Sequence, residues 1–437
     1  MSLIDDLQAQ LKQVHTDGAA ALVSAEANIG TFIDHFKQHT LQYPEPVFAV
    51  LRQVKPVLIV KNTAIITRFA DVQEVLSRDD VFQVTYKEKM EVVTGGKNFF
   101  LGMQNGPDYE RDVANMRSVM RRDDVAKWVV PFVAKTAEAC VASSNGSLDV
   151  AVQLGRAVPA KWVAAYFGCP PPTDQELVDW GTAIFQFLFC DLKNDPTCGA
   201  TARAASVKAC AWLDDTIAKR KADPNNKTDD VLGRCLELQK ANVPGMDDLG
   251  IRNNLIGLLT GAIPTTAKCC AQALDELLKR PAELEKAQQA ARANDDALFS
   301  QYVFEALRFN PNNPGVFRIA AEDYVVARDS AHATLIPKGT SVLASTQSAM
   351  FDERFVDAPN EFRVGRPEYM SMMWGYGIHT CFGQYINRVQ IPGVLKPLLR
   401  RRNLRRAPGD AGQLGYSGPF PTRLGVEFEV AASASAS

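Results

Sequence analysis

The chain has no apolar run approaching the roughly 18 residues that a membrane span requires. Its opening, MSLIDDLQAQLKQ, carries acids where a signal peptide would carry positive charge. These absences lead to the expectation of a cytoplasmic protein without a membrane partner. Its nine cysteines are an odd number without CxxC spacing, which argues against a disulfide framework or zinc knuckle and for a reducing compartment. No GxGxxG fingerprint and no iron–sulfur pattern of cysteines occurs, so neither a flavin or nicotinamide site nor a cluster is expected within the chain. A formal charge of −2 over 437 residues gives no general attraction for nucleic acid, and no nucleic-acid partner is expected. With no Gly/Ser/Pro linker in evidence, one large domain is expected over 1–430. The low-complexity AASASAS of 431–437 reads as a disordered tail.

What is present is a cysteine in a loop rich in glycine. Residues 372–383 read MMWGYGIHTCFG, with Cys381 among Gly375, Gly377 and Gly383, and Arg388 in the apolar helical pattern that follows. Glycines take φ > 0 at little cost and let a backbone turn tightly beside a large flat ligand. A thiolate just ahead of a helix is stabilised by the helix-terminal N–H groups, and cysteine thiolate is one of the few protein ligands for haem iron. The alternative is an inert cysteine beside a turn. The loop by itself leaves both readings open.

WGYGIHTCFG resembles the haem-binding loop of the cytochrome P450 superfamily, Phe-Gly-x-Gly-x-His/Arg-x-Cys-x-Gly, differing only in Trp374 at the first position. The resemblance implies Cys381 as axial ligand of haem b, His379 as a propionate partner, and Trp374, Gly375 and Gly383 beside the cofactor. Two further signatures follow the family order. Glu305 and Arg308 match its Glu-x-x-Arg, and Phe362 with Arg366 matches its Phe-x-x-x-Arg, implying that Arg366 joins the pair in a buried network. The run FNP then FRIAAED implies a propionate-binding role for Arg318, with Val316 and Phe317 passing beside substrate. The implied fold is mainly α with a small β-rich lobe and a long central helix over the haem.

That helix is expected in NNLIGLLTGAIPTTAKCCAQALDELLKRP, 253–281, which is too apolar for a surface position. The family signature Ala/Gly-Gly-x-Asp/Glu-Thr-Thr/Ser aligns with Gly261-Ala262-Ile263-Pro264-Thr265-Thr266. Thr265 falls on the oxygen-binding threonine with Thr266 after it, Gly261 and Ala262 fall beside the pocket, and Pro264 replaces the acid. Proline carries no proton, lacks the N–H that would bond the Thr260 carbonyl, and imposes a kink. It reads either as a structural kink or as the mark of altered chemistry. Family members that use peroxide on fatty acids carry Arg-Pro at this place, but here Ile263 precedes the proline. Lys268 shares the Thr265 face or, as the commoner case, extends into solvent.

Elsewhere, VLIVKNTAIITRF, 57–69, alternates as a small hairpin turning at 61–63, and ADVQEVLSR reads as a short helix. Residues 85–106 read as a long irregular segment whose Phe99 and Phe100 are candidate pocket residues. Pro107 opens a helix in which Arg117 is the candidate propionate partner. Successive amphipathic helices are expected over 125–240, broken at PPPTD, KNDPTCG and ADPNNKTDD. AIFQFLF, 183–189, is either helix core or a pocket ceiling. His15, His35 and His39 read as surface residues, and the arginines of 400–406 with Lys396 as a solvated face or a docking patch. YSGPFPTRLGVEFEV reads as a last hairpin with Phe420 near the pocket.

The implied activity is insertion of one oxygen atom from O2 into a small lipophilic substrate, with electrons from a separate ferredoxin or flavodoxin. The alternative is a peroxide-dependent peroxygenase or an enzyme rearranging fatty acid hydroperoxides, which Pro264 favours and Thr265 disfavours. A non-catalytic haem binder is the reading from another class.

Overall fold

The computed structural model describes residues 45–96, 99–223, 225 and 227–430. The expectations for 1–40, with His15, His35 and His39, and for the 431–437 tail lie outside the described residues. The backbone groups into two compact units, each assembled from separated stretches of chain. Of the described residues, the first takes those up to Glu88, Gly102–Asn105 and Asn313–Phe382; the second takes those of Lys89–Leu101, Gly106–Asn312 and the stretch from Gly383 to residue 430.

The first unit is built on a mixed five-stranded sheet. Its strands are β1 (Val57–Val60), β2 (Thr63–Ile66), β3 (Phe82–Gln83), β4 (Val316–Ala320) and β5 (Ser341–Ala344), in the order β1-β2-β5-β4-β3. The predicted hairpin is β1–β2: Val60 pairs with Thr63, so Lys61 and Asn62 make the turn. Lys61 stands at φ 53, the left-handed backbone that tight two-residue hairpins demand. All four residues of β2 are buried, which suits its apolar and β-branched content. β2 runs parallel to β5, and β5 runs antiparallel to β4 with Arg318 opposite Val342. The short helix expected after the hairpin is Phe69–Ser77.

The second unit is helical. We use six of its helices: α1 (Pro107–Val119), α2 (Ala157–Phe167), α3 (Asp174–Phe185), α4 (Asp248–Leu278), α5 (Asp296–Phe309) and α6 (Gln384–Leu399). Proline in the first turn fits α1. The segment 85–106, expected to be irregular, contains a helix over Lys87–Thr94 whose buried Met90, Val93 and Thr94 share one face. Past Phe185, the AIFQFLF run widens into a single π-turn over Gln186–Cys190, with Phe187 and Leu188 buried. The predicted breaks at KNDPTCG and ADPNNKTDD are helix starts, with Asp195 capping the N–H groups of Thr197 and Cys198 and Asp230 capping Gly233.

The central helix is α4. Asp247 caps it by accepting from the Gly250 N–H at 2.7 Å, and it packs against α2, α3, α5 and α6. Its length of 31 residues is about 45 Å of continuous helix. From Asn253 to Leu277 it is buried except at Gly261, Ala262 and Thr265, which are half-buried. Pro264 lies inside the helix without ending it. A Cβ on Gly181 of α3 would lie in ordinary contact with the Pro264 ring and the Thr260 backbone, each at 3.9 Å, so α3 runs directly beside this step of the helix. No helix among the described residues is long and apolar enough to cross a membrane.

Candidate active site

In the first unit the cysteine loop is closed by its own backbone. The Cys381 N–H donates to the Trp374 carbonyl at 2.8 Å and the Thr380 N–H to the Gly377 carbonyl at 3.1 Å. Gly375 and Gly377 stand at φ 77 and 74, where a side chain is strained. A Cβ on Gly377 would also meet the Leu76 carbonyl oxygen at 2.2 Å. Gly383, expected to need the same freedom, has φ −86 and serves as N-cap of α6, so its conformation is open to any residue. Cys381 itself is half-buried.

The structure brings His379 and Arg318 together. Burial, with the Arg318 guanidinium nearby, lowers the His379 imidazole to about 4. Arg318 is 6% exposed, and the hydrogen bond it makes is to the adjacent Phe317 carbonyl at 2.8 Å. A buried guanidinium that has only a neighbouring carbonyl lacks its counter-charge. Such a place fits a carboxylate group of a ligand. Val316 and Phe317, on the same strand, are half-buried. Arg366 is wrapped by loop carbonyls, donating to Ala358 at 2.8 Å and Glu361 at 3.0 Å as well as to Asp357.

In the second unit the half-buried window of α4 is bounded by hydroxyls. Thr265 Oγ1 donates to the Gly261 carbonyl, and Thr266 Oγ1 to the Ala262 carbonyl at 2.7 Å, with Asn387 Oδ1 of α6 at 3.2 Å. Both threonines thus bond back one turn across the step where Pro264 has no N–H. Nothing lies within 4 Å of a Cβ built on Gly261. That open space over a helix buried on either side fits the edge of a flat ligand. One turn earlier the Phe99 ring lies so close to Gly257 that a Cβ there would meet it at 2.2 Å. Phe99 and Phe100 are both buried, their rings crossing at 5.6 Å.

Phe420 lines a different stripe of α4. With Arg156, Thr182, Ile263, Pro264 and Ala267 it bounds a small cleft, and its ring meets that of Phe185 edge-on at 5.8 Å. The Arg156 guanidinium donates to the Pro421 carbonyl at 2.7 Å. Glu305 and Arg308 form a two-pronged buried pair, Nε to Oε2 at 3.0 Å and Nη2 to Oε1 at 2.8 Å, the strong geometry for this couple. Arg117 is exposed, its guanidinium 5.6 Å from the centre of the Tyr385 ring. Tyr385, which donates to the Met120 carbonyl at 2.7 Å, was not singled out in the sequence, nor were Arg156 and Asn387; none lies in a motif.

One expectation is corrected. Lys268, taken as extending into solvent, is 6% exposed; the signal was there in its unbroken apolar flanks, Ala267 and Cys269–Cys270–Ala271. The basic run near the C-terminus is partly paired within the second unit. Arg401 pairs with Glu138, Arg405 with Glu427 at 2.6 Å, Arg406 with Asp275 at 2.7 Å and Lys396 with Asp296 at 2.5 Å, while Arg400, Arg402 and Arg405 are exposed.

A profile of the family described as Cytochrome P450 matches residues 61–418. The chain belongs to the cytochrome P450 family. It is therefore an oxidoreductase of the monooxygenase type whose cofactor is haem b. The P450 is 25% identical to Cytochrome P450 144 of Mycobacterium tuberculosis, over 94% of this chain and 93% of that one. It is 27% identical to the erythromycin C-12 hydroxylase of Saccharopolyspora erythraea, over 76% of this chain and 80% of that one. A fungal relative, the bifunctional dioxygenase–epoxy alcohol synthase of Pyricularia oryzae, is 24% identical over 88% of this chain; the P450 spans only 38% of its length. Among solved structures CalO2 matches with a TM-score of 0.76 at 20% identity, covering 90% of this chain and 97% of that one.

Proposed function

We propose that this P450 inserts one oxygen atom from O2 into a small lipophilic substrate, with electrons from a separate ferredoxin or flavodoxin. The observation that carries the reading is the closed loop around Cys381, in which two left-handed glycines and the Cys381–Trp374 hydrogen bond fix the sulfur's backbone. Bound haem b supplies the reductive activation of O2 and the oxygen transfer. Cys381 is its thiolate ligand, while Gly375, Gly383 and Trp374 flank it. Arg318 and His379 hold its carboxylates, and Arg117 is a further cation for them. Thr265 holds a proton on its hydroxyl, shared with the Gly261 carbonyl, at the window beside the reacting atoms, and Thr266 fixes the helix behind it. The apolar candidates for substrate contact are Phe99, Phe100, Gly261, Ala262 and Phe420 in the second unit and Val316 and Phe317 in the first. The Glu305–Arg308 pair braces the second unit, and Arg366, held by loop carbonyls, braces the unit that carries the cysteine.

Pro264 favours a second reading, in which the oxidant is a peroxide or a lipid hydroperoxide. Where the family's acid would relay protons, this helix offers a ring without a proton. An epoxy alcohol is an isomer of an unsaturated hydroperoxide and forms without reductant, so the relative named for epoxy alcohol synthesis lends this reading support. The test is direct. The purified holoenzyme is assayed with a reduced ferredoxin system, and separately with hydrogen peroxide or a fatty acid hydroperoxide and no reductant. Product only with the reduced partner supports the monooxygenase. Product from the hydroperoxide alone, with none from the reduced partner, overturns it.

A further inference from the structure

Buried cations in the second unit have carboxylates beside them, with one exception. Arg234 is held by Asp124 and Asp229, and Arg308 by Glu305. Lys268 is as deeply buried, at 6% exposure, yet among the described residues it has neither a hydrogen-bond nor an ion-pair partner. The titratable groups near it are the thiols of Cys190 and Cys269. Burial pushes Cys190 up to about 12, so that thiol is neutral and offers no counter-charge. An ammonium taken out of water without a partner costs several kcal/mol, and the same cost at Arg318 is met by the cofactor's carboxylates under the function proposed above. Nothing in that function meets it at Lys268.

We propose that Lys268 anchors the carboxylate of an anionic, lipophilic substrate. The inference rests on the reading of the α4 window as the place of reaction, and it narrows that reading to a substrate class. Lys268 follows Thr265 by three residues and Gly261 by seven, the spacing of one helical stripe. At 1.5 Å per residue these separations are about 4.5 and about 10 Å along the axis. A substrate held by its charged end at Lys268 therefore extends its apolar chain along α4 toward the open space at Gly261, away from its own head group. The residue before Pro264 is the uncharged Ile263, and Arg156, the cation that shares a cleft with both, donates to the Pro421 carbonyl at 2.7 Å.

The test compares dodecanoic acid with methyl dodecanoate, which keeps the chain and removes the charge, by calorimetric titration of the holoenzyme. The expected result is acid binding at least tenfold tighter than ester in the wild type. Lys268→Met should abolish that preference by weakening the acid while leaving the ester unchanged, and Lys268→Arg should retain it. Equal binding of acid and ester by the wild type overturns the proposal without recourse to any variant. So does a preference that survives in Lys268→Met. The reduced carbonyl spectrum of the same preparations reports the haem–thiolate bond separately. A normal spectrum with no acid preference removes only the role of Lys268, whereas a wild type lacking the thiolate band removes the parent reading and this one together.

Discussion

The cysteine loop and the middle of α4, the two places proposed above to face the reaction, are shaped by different physics. In the loop, identity is dictated by backbone sterics. Gly377 at φ 74, with the Leu76 carbonyl 2.2 Å from where a Cβ would be, leaves no alternative to glycine. In α4 the backbone tolerates exchange: a proline stands inside a 31-residue helix and the helix continues through it. What changes there is which side chain can carry a proton. A position set by close approach admits one residue type on steric grounds, whereas a position inside the helix is set by what its side chain can donate.

The sharpest way to break that comparison is at its centre. Cys381→Ala should eliminate the thiolate-type absorbance of the reduced carbonyl complex and all product; an intact band would mean the loop serves some other purpose. Next in size is Gly377→Ala. A left-handed backbone for a non-glycine residue together with the clash at Leu76 should cost about 2–4 kcal/mol, read as a lowered midpoint in urea unfolding. Pro264→Ala should go the other way. Restoring an N–H opposite the Thr260 carbonyl and removing a helix breaker should stabilise by about 1 kcal/mol, and Pro264→Glu should change the ratio of product to reductant consumed. Unchanged coupling in Pro264→Glu would mean that the missing acid is not what sets proton delivery. The smallest effect is expected from Trp374→Phe, which restores the family residue. Stability should stay within about 1 kcal/mol while the absorbance maximum moves, because an indole and a phenyl ring differ in their polar edge.

Legibility followed the same division. The β1–β2 hairpin, the helix breaks at KNDPTCG and ADPNNKTDD, and the loop around Cys381 were readable because glycine, proline and alternation are local devices; the caps at Asp195 and Asp230 were not read from the sequence. The Glu305–Arg308 pair was readable as a motif, although three-residue spacing alone does not distinguish a buried couple from a surface one. Lys268 was misread because lysine is usually a surface residue; only its neighbours on α4 revealed the burial. The pairing of Arg401, Arg405 and Arg406 was not legible, because their partners Glu138, Glu427 and Asp275 lie far away in the sequence. Gly383 shows the opposite error, a glycine in a motif whose backbone angle, φ −86, asks for nothing special.

The mixed sheet also has a consequence for how the molecule is made. β2 lies between β1 and β5, and β5, Ser341–Ala344, leaves the ribosome long after Thr63–Ile66 has emerged. During that interval one edge of β2 has no strand to pair with and its buried-to-be TAII face is available to other chains. Nascent polypeptides cut short before Ser341 should therefore depend on chaperones and collect in aggregates, while those extended past Ala344 should escape that fate.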